Sequence, residues 1–561
     1  MSKLETIQDT VKLKPVPSAD PATSPAIAET PRPASAWKAY QKIAFRIAFF
    51  FFVSISIPNS LEWYNHVIHI DWTNLHYRDL YDIARFGSGI NLFGNSIFGN
   101  TLLGYANWII TLVFAIVGGI IWTVIDRRRK PEPAEYNRLY YWLRVIVRYR
   151  AGIGIIGFGF TKLLPVQMPY PSIGLLNTNF GDFTAQKIYW LSIGIVPWYQ
   201  IFAGVVEVLA GALLFFRGTT AFGAILLFGA LGDIVYVNFA YDGGVHVYSS
   251  YFMLLAAFLL AQEIPKFYNL FILERITVPF TYYPAFSQKW QKFTRIGLKV
   301  GVFYVFLFLL FYLQYVNFRY DPYKQPSTKG IAELRGLYNV TEFRLNNKIL
   351  PFSPADTIRW QQATFEKWTT LTYKVNRPVP LDLSNGGGDP QRDINRTFEV
   401  SGTGGGQRVF HYYADPVNKV LYLQDKYKAI PDRRNKAAGV GGDGGTEKNL
   451  NGGIEKAAQE AEQAKAIASL DNWISKEAWA NIGDENSKID PRAASTRRDR
   501  EFAEAPKHEK RNRMTLKFET KDGSRVILSG IDENKDSIYV VLDRVNRQYA
   551  LTPSTLEAGK Y

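Results

Sequence analysis

The chain has 561 residues and a formal charge of +15. That length exceeds what one hydrophobic core organises and points to two or more domains. The absence of cysteine excludes disulfides, thiolate metal sites and thiol redox catalysis in this chain.

Residues 1–36 are polar and rich in Pro and Ala. They lack the short apolar core of a signal peptide and read as a disordered cytoplasmic tail. Seven apolar stretches follow, at about 38–57, 100–125, 141–164, 198–216, 219–240, 245–262 and 295–316. Each matches the roughly 20 residues that cross about 30 Å of hydrocarbon. The basic excess lies beside these runs, as in Asp126-Arg127-Arg128-Arg129-Lys130. That is a membrane-flanking pattern, and nucleic acid is not an expected partner. Lys38, Lys42, the 127–130 cluster, Arg138, Arg217 and the 266–295 stretch fall on one side. By the positive-inside rule that side is cytoplasmic, so seven crossings place the C-terminal domain in the periplasm of a bacterial inner membrane.

After about residue 319 the apolar pattern changes to period two. Strand-like pieces occur at 340–344, 367–375, 397–401, 409–413, 420–424, 515–519, 525–528 and 537–542. About eight short strands predict a small antiparallel barrel or sandwich. A polar insert at about 428–512 interrupts them, with a Gly-rich linker at 439–445 and an Ala-rich helix at about 454–470. No HExxH, P-loop or GxSxG pattern lies on the strands, so this region reads as a binding or docking module. The expected architecture is thus an α-helical polytopic bundle of about seven spans over residues 37–318, plus an extracytoplasmic all-β domain over 319–561.

Ionisable residues at membrane depth are costly and are functional candidates, each expected to have a partner. Glu207 lies nine residues after Trp198 and ten before Arg217, about 14 Å from either end of its helix. Its neighbours Ala203, Gly204, Ala210 and Gly211 permit close helix contact. Asp233 lies in the next helix, Lys162 closes the third, and Arg148 and Arg150 lie nearer that helix's inner end. Two readings stay open. The charges hold the bundle together, with Glu207 and Arg150 as a plausible pair by depth, or they form a proton or cofactor site. Glu207, Asp233 and Lys162 are the candidate catalytic residues of the second reading. The outer loop near 58–98 holds His66, His69 and His76. His66 and His69, spaced i and i+3, would share a helix face and bind a metal with His76 or Asp71. The competing reading is an interfacial segment, with Trp63, Trp72 and Tyr77 as an aromatic belt.

Several segments resemble the DoxX/DoxD-like family of four-helix membrane proteins. They are Gly157-Phe158-Gly159-Phe160-Thr161-Lys162-Leu163, the 202–211 segment Phe-Ala-Gly-Val-Val-Glu-Val-Leu-Ala-Gly, Arg217-Gly218-Thr219-Thr220, and Asn238-Phe239-Ala240-Tyr241-Asp242 with Tyr248-Ser249-Ser250. The resemblance covers about residues 140–262. It implies membrane redox chemistry linked to quinones, with Lys162, Glu207 and Asn238 as matched polar positions. The first two helices, the histidine loop and the β domain lie outside the typical short member. The leading expectation is a quinone-associated redox component, with Glu207, Asp233 and His246 as a proton route. Trp198, Asn238 and His246 are its candidate cofactor contacts. The alternative is a non-enzymatic anchor or assembly subunit that docks an envelope protein. A transporter is a third reading, for which no inverted repeat or broken-helix pair is evident.

Overall fold

The fold is that of a computed structural model, which describes residues 37–86, 89–90, 103–128, 135–277, 282–284, 286–384, 386, 392–426, 473–493 and 511–549. The expected N-terminal tail, Gly-rich linker and Ala-rich helix lie outside these residues.

The helical half contains α1 (Ala39–Ser56), α2 (Leu61–Ile68), α3 (Tyr77–Ala84), α4 (Leu103–Arg128), α5 (Asn137–Leu163), α6 (Ile173–Leu176), α7 (Ala185–Gly194), α8 (Pro197–Leu214), α9 (Thr220–Ala240), α10 (His246–Ala261), α11 (Ile264–Phe267), α12 (Lys289–Phe303) and α13 (Leu310–Tyr320). A π-helical turn, Tyr304–Leu309, joins α12 to α13 without a break. Five described helical runs are long and apolar enough to cross a bilayer: α1, Gly104–Arg128 within α4, α8, α9 and the continuous Lys289–Tyr320. They mark the chain as a membrane protein. A sixth crossing requires counting α10 with Ile264–Ile272, a pair bent by 64°.

The expected count of seven therefore rests on α5, and α5 departs from a span by composition. It carries Arg138, Arg144, Arg148, Arg150 and Lys162. It tolerates them because it is an interior helix, packed against α1, α3, α8, α10 and α13. Arg148, Arg150 and Lys162 are buried, which is where intramembrane charge is sustainable, and Arg138 is exposed in the first turn. Most lipid-facing positions on the other helices are apolar. Ile109, Phe114, Ile120, Phe202, Phe222 and Tyr236 are all exposed there.

Glycine spacing sets the tightest helix pair. Gly152 and Gly159 on α5, and Gly204 and Gly211 on α8, are each seven residues apart. That spacing puts both members of a pair on one face, two turns apart. A Cβ at Gly159 would lie 2.9 Å from the Val208 nitrogen, and one at Gly152 would lie 2.9 Å from the Gly211 carbonyl. A Cβ at Gly204 would overlap the Leu163 backbone. Only hydrogen fits between the two antiparallel backbones.

The β half is a closed eight-stranded antiparallel barrel. Its strands are β1 (Gly336–Leu345), β3 (Gln362–Phe365), β4 (Thr370–Lys374), β5 (Gln407–Asp415), β6 (Val420–Asp425), β7 (Arg513–Thr520), β8 (Arg525–Ile531) and β9 (Ser537–Val545); the two-residue β2 (Lys348–Ile349) extends β1. They pair in that order, and β1 pairs again with β9 to close the ring. Closure removes the free edges that an open sheet would expose. Alternate residues such as Phe343, Phe365, Phe410, Tyr412, Leu421, Leu516, Leu528 and Val540 fill the interior. The expected barrel-or-sandwich choice thus resolves to a barrel. One expected strand, 397–401, is instead a turn after Arg396. Its alternation of Phe398, Glu399 and Val400 reflects burial on every side, not a pleated strand. The strand pairing with β1 at that stage of the chain is β3, which the pattern at 367–375 had hidden.

Candidate functional site

The close approach of α5 and α8 creates the first candidate site. Lys162 lies three residues after Gly159, and Glu207 three after Gly204, so both follow the glycine face. Lys162 Nζ sits 2.5 Å from Glu207 Oε1. Glu207 is 1% exposed and Lys162 9%. The other carboxylate oxygen, Glu207 Oε2, is buried and accepts no hydrogen bond among the described residues.

The expected pairing of Glu207 with Arg150 does not occur. Arg150 donates from Nε to the Tyr251 hydroxyl at 3.0 Å and from NH1 to the Ala84 carbonyl at 2.5 Å. Its guanidinium stacks over Phe86 at 4.0 Å. It therefore ties α5 to α3 and α10. The depths differ: residues 150 and 162 are about 18 Å apart along α5, and the helix contact sets Glu207 beside Gly159, well away from Arg150.

The remaining candidates do not converge on the pair. Asp233 is exposed on α9. It shares one neighbour with Glu207, the Tyr189 phenol of α7, which burial, then the charges of Asp233 and nearby groups including Glu207, push up to about 12. Asn238 donates to the Ile234 carbonyl at 2.7 Å and accepts from the Val245 amide at 3.4 Å, which fixes the turn between α9 and α10. His246 is stacked on Phe239 at 4.3 Å and lies 3.4 Å from the Tyr105 hydroxyl. Trp198 is 66% exposed in the first turn of α8, in the position of an interfacial anchor.

His66, His69 and His76 take separate structural roles. His66 Nε2 lies 3.5 Å from the Asp79 carbonyl, and His69 Nδ1 lies 2.7 Å from the Asn65 carbonyl. His76 caps α3 by accepting from the Arg78 amide at 3.2 Å. Among the described residues no three His, Asp or Glu side chains gather as a metal site would require.

A second polar constellation, absent from the sequence reading, joins the membrane half to the barrel. The segment between α5 and α8 rises into the β half. Phe183 forms an antiparallel bridge with Thr403, and the Thr184 amide donates to the Gly402 carbonyl at 2.9 Å. The amides of Ile173 and Gly174 donate to Glu366 Oε2 and Oε1 at 3.1 and 2.8 Å. Lys187 donates to the Phe398 carbonyl and lies over the Phe398 ring at 3.7 Å. The exit of α13 is held as firmly. Arg396, 1% exposed, pairs with Asp321 at 2.7 Å and donates to the carbonyls of Pro322 and Gln325. Burial dominates both ionisable groups at this seam. It pushes the Glu366 carboxyl up to about 7 and the Lys187 ammonium down to about 7.

The opposite end of the bundle is pinned by another buried cation. Arg46 NH2 pairs with Asp126 at 2.5 Å, and its other nitrogens reach Tyr136 and Thr123. Its signal was visible as one arginine inside the apolar run Ile43-Ala44-Phe45-Arg46-Ile47.

These elements define a class: a membrane helical bundle with charge buried at its core, fused to a closed antiparallel β-barrel. The chain belongs to the family of the uncharacterized protein YwoB of Bacillus subtilis, to which it is 34% identical over 107 residues, 18% of this chain and 70% of that protein. No family model matches the chain, and no solved structure matches it.

Two measurements follow. Lys162→Met alone should cost about 3–5 kcal/mol by stranding a buried carboxylate, whereas Lys162→Met with Glu207→Leu should be close to neutral. Thermal unfolding in detergent of the two single variants and the double variant would give the coupling; additive losses would contradict the pairing. Lys187 should make stability pH-dependent. Its depressed folded pKa means the unfolded chain binds more protons between about 7 and 10.5, so its contribution improves as pH rises through that window. Lys187→Met should flatten the rise of Tm between pH 7 and 10.5.

Proposed function

We propose that the protein is a membrane-anchored docking scaffold, in which the helical bundle holds the β-barrel in a fixed pose at the bilayer surface. The observation that carries this reading is the seam itself. Backbone bridging, a carboxylate capping two amides and two buried cations tie the barrel to the bundle from two separate segments, 170–187 and 321–328. A freely tethered domain needs none of these contacts, since domains joined only by a linker reorient by default. The polar environment of Lys162 and Glu207 fits a structural clamp. In this reading the partner is an envelope protein received by the barrel.

The positive-inside rule supports an orientation with Lys38, Arg217 and Lys266 in the cytoplasm. The barrel joins the bundle at the other end, through the C-terminal end of α5 and of α13, and so lies outside the cytoplasm of a bacterial inner membrane. Because the chain has no cysteine, a single engineered one reports cleanly. Lys419, exposed in the β5–β6 turn, is the position to use. Lys419→Cys should react with a membrane-impermeant maleimide in intact spheroplasts. Reaction only after the membrane is permeabilised would reverse the orientation.

One observation favours a second reading. Among the described residues Glu207 Oε2 is buried without a hydrogen-bond donor, as a carboxylate awaiting a ligand or proton would be. Together with the DoxX/DoxD-like resemblance of residues 140–262, it supports quinone-linked redox chemistry at the Lys162–Glu207 pair. Glu207→Gln would then abolish quinone binding in protein that still assembles; unchanged quinone binding, or none in the parent protein, would leave the scaffold reading standing alone.

A further inference from the structure

The outer face of the barrel carries a feature that neither the anchor nor the redox reading uses. In β5 the residues alternate: Phe410 and Tyr412 point into the barrel core, and His411 and Tyr413 take the other face. That face is covered by the short helix Lys476–Ile482, part of the long insert between β6 and β7. Ile474, Ala478 and Ile482 pack there against Tyr413, Tyr422 and Trp473 as a separate small core. Where this cover ends, a cavity of about 320 Å³ remains between strand and insert. That size falls at the lower end of small-molecule sites, about 300–1,000 Å³.

Its lining is chemically specific. One wall is aromatic, with Trp479 meeting Tyr413 edge to face at 5.2 Å and Tyr413 meeting His411 at 4.7 Å. Lys329 and Lys488 bring two ammonium groups, both on exposed residues, to the same cavity. Neither makes an ion pair with another described residue. Arg392 and Glu485 also line it, but they face each other at 3.7 Å, and Glu485 accepts from the Asp393 amide at 2.9 Å. Asp484 lines the cavity too, and with Glu485 it acts on the Lys488 ammonium; three cations, Lys329, Arg392 and Lys488, against these two carboxylates leave a surplus of one positive charge.

His411 is the second, independent observation. It is 1% exposed and borders the cavity. Its Nδ1 lies 3.2 Å from Thr369 Oγ1, while its Nε2 is buried with no hydrogen-bond partner among the described residues. Buried polar atoms are rarely left so, and one beside a cavity marks a place for a ligand's polar group. Burial, reinforced by the nearby Lys426, Arg392 and Arg511 and opposed by Asp393, holds the imidazole down to about 3, so it is neutral at physiological pH. In the tautomer in which the Thr369 hydroxyl donates to Nδ1, Nε2 carries the proton and presents a hydrogen-bond donor. A neutral donor on the wall of a cavity that two lysines also line selects an acceptor that is negatively charged.

We propose that this cavity is a binding site for a small aromatic carboxylate, its ring against Trp479 and Tyr413 and its acid group between Lys329, Lys488 and His411. The insert between β6 and β7 then has a purpose beyond covering the barrel: it supplies the aromatic lid and one of the two cations.

Benzoate is the minimal probe, and benzamide its neutral isostere. Calorimetric titration of the full chain in lipid nanodiscs should show benzoate binding about tenfold or more tighter than benzamide, the usual worth of hydrogen bonds to a charged group. Lys329→Ala with Lys488→Ala should weaken benzoate by about tenfold or more and leave benzamide unchanged. Trp479→Ala should weaken both. These three side chains are exposed or half-exposed, so the variants keep the parent's thermal transition, which serves as the control for folding. Equal affinity for benzoate and benzamide would overturn the proposal. So would inorganic phosphate binding as tightly as benzoate, since the ring would then contribute nothing, and so would absence of benzoate binding to the parent protein.

Discussion

The contact on which the membrane half depends is the glycine-lined approach of α5 to α8. It brings two backbones so near that side chains have no room at four positions. That approach does two things at once. It removes lipid from both faces, and it carries Lys162 and Glu207 to within ion-pair distance in a space where neither could be left alone. A buried pair of this kind contributes little net stability against an apolar alternative, but breaking it is expensive. Its main effect is therefore on register: α5 and α8 fit in one alignment only, because a one-turn slip would separate both the glycine contacts and the charges.

This register propagates outward. α5 ends at Leu163 and α8 begins at Pro197, so the chain between them is held at both ends by the clamped pair. That segment meets the barrel through Phe183, Thr184, Lys187, Ile173 and Gly174. The long helix of α12 and α13 supplies the second attachment, through Asp321 and Arg396. The barrel is thus positioned by two struts from one bundle. Closure of the sheet makes it rigid enough to transmit that position, since β1 pairs with β9 along nearly its whole length.

Much of this was legible in the sequence, and the limits were physical. Glu207 stood out because a carboxylate among apolar residues has so few structural explanations. Its partner did not, because spacing gives depth within one helix, whereas the depth of one helix relative to another depends on how the two are aligned. Arg150 and Lys162 lie about 18 Å apart along α5, and only the alignment of α5 with α8 shows which of them is level with Glu207. The histidine loop shows the converse error. Three histidines close in sequence resemble a ligand set, yet each imidazole is already committed to a local carbonyl or cap. Period-two patterning found most of the barrel strands and failed at 397–401, where a turn is buried by the seam on one side and by Trp368 and Lys426 on the other.

What the sequence had no means to reveal is any site made by two distant segments. The seam unites residues near 180 with residues near 400, and the barrel cavity unites Lys329, His411 and Lys488. In both, the ionisable groups look ordinary one at a time: a lysine in a polar loop, a glutamate in a strand, a histidine in an alternating run. Assembly makes them unusual, by withdrawing water from Glu366 and Lys187 at the seam and from His411 beside the cavity. The two places differ in one respect that bears on function. At the seam the buried groups find partners in the chain itself, as a joint requires. Beside the cavity His411 Nε2 finds none among the described residues, and the space next to it is open to a molecule from outside. The seam completes its contacts within the chain, whereas the cavity beside His411 lies on the outer face of the barrel, where a ligand can reach it.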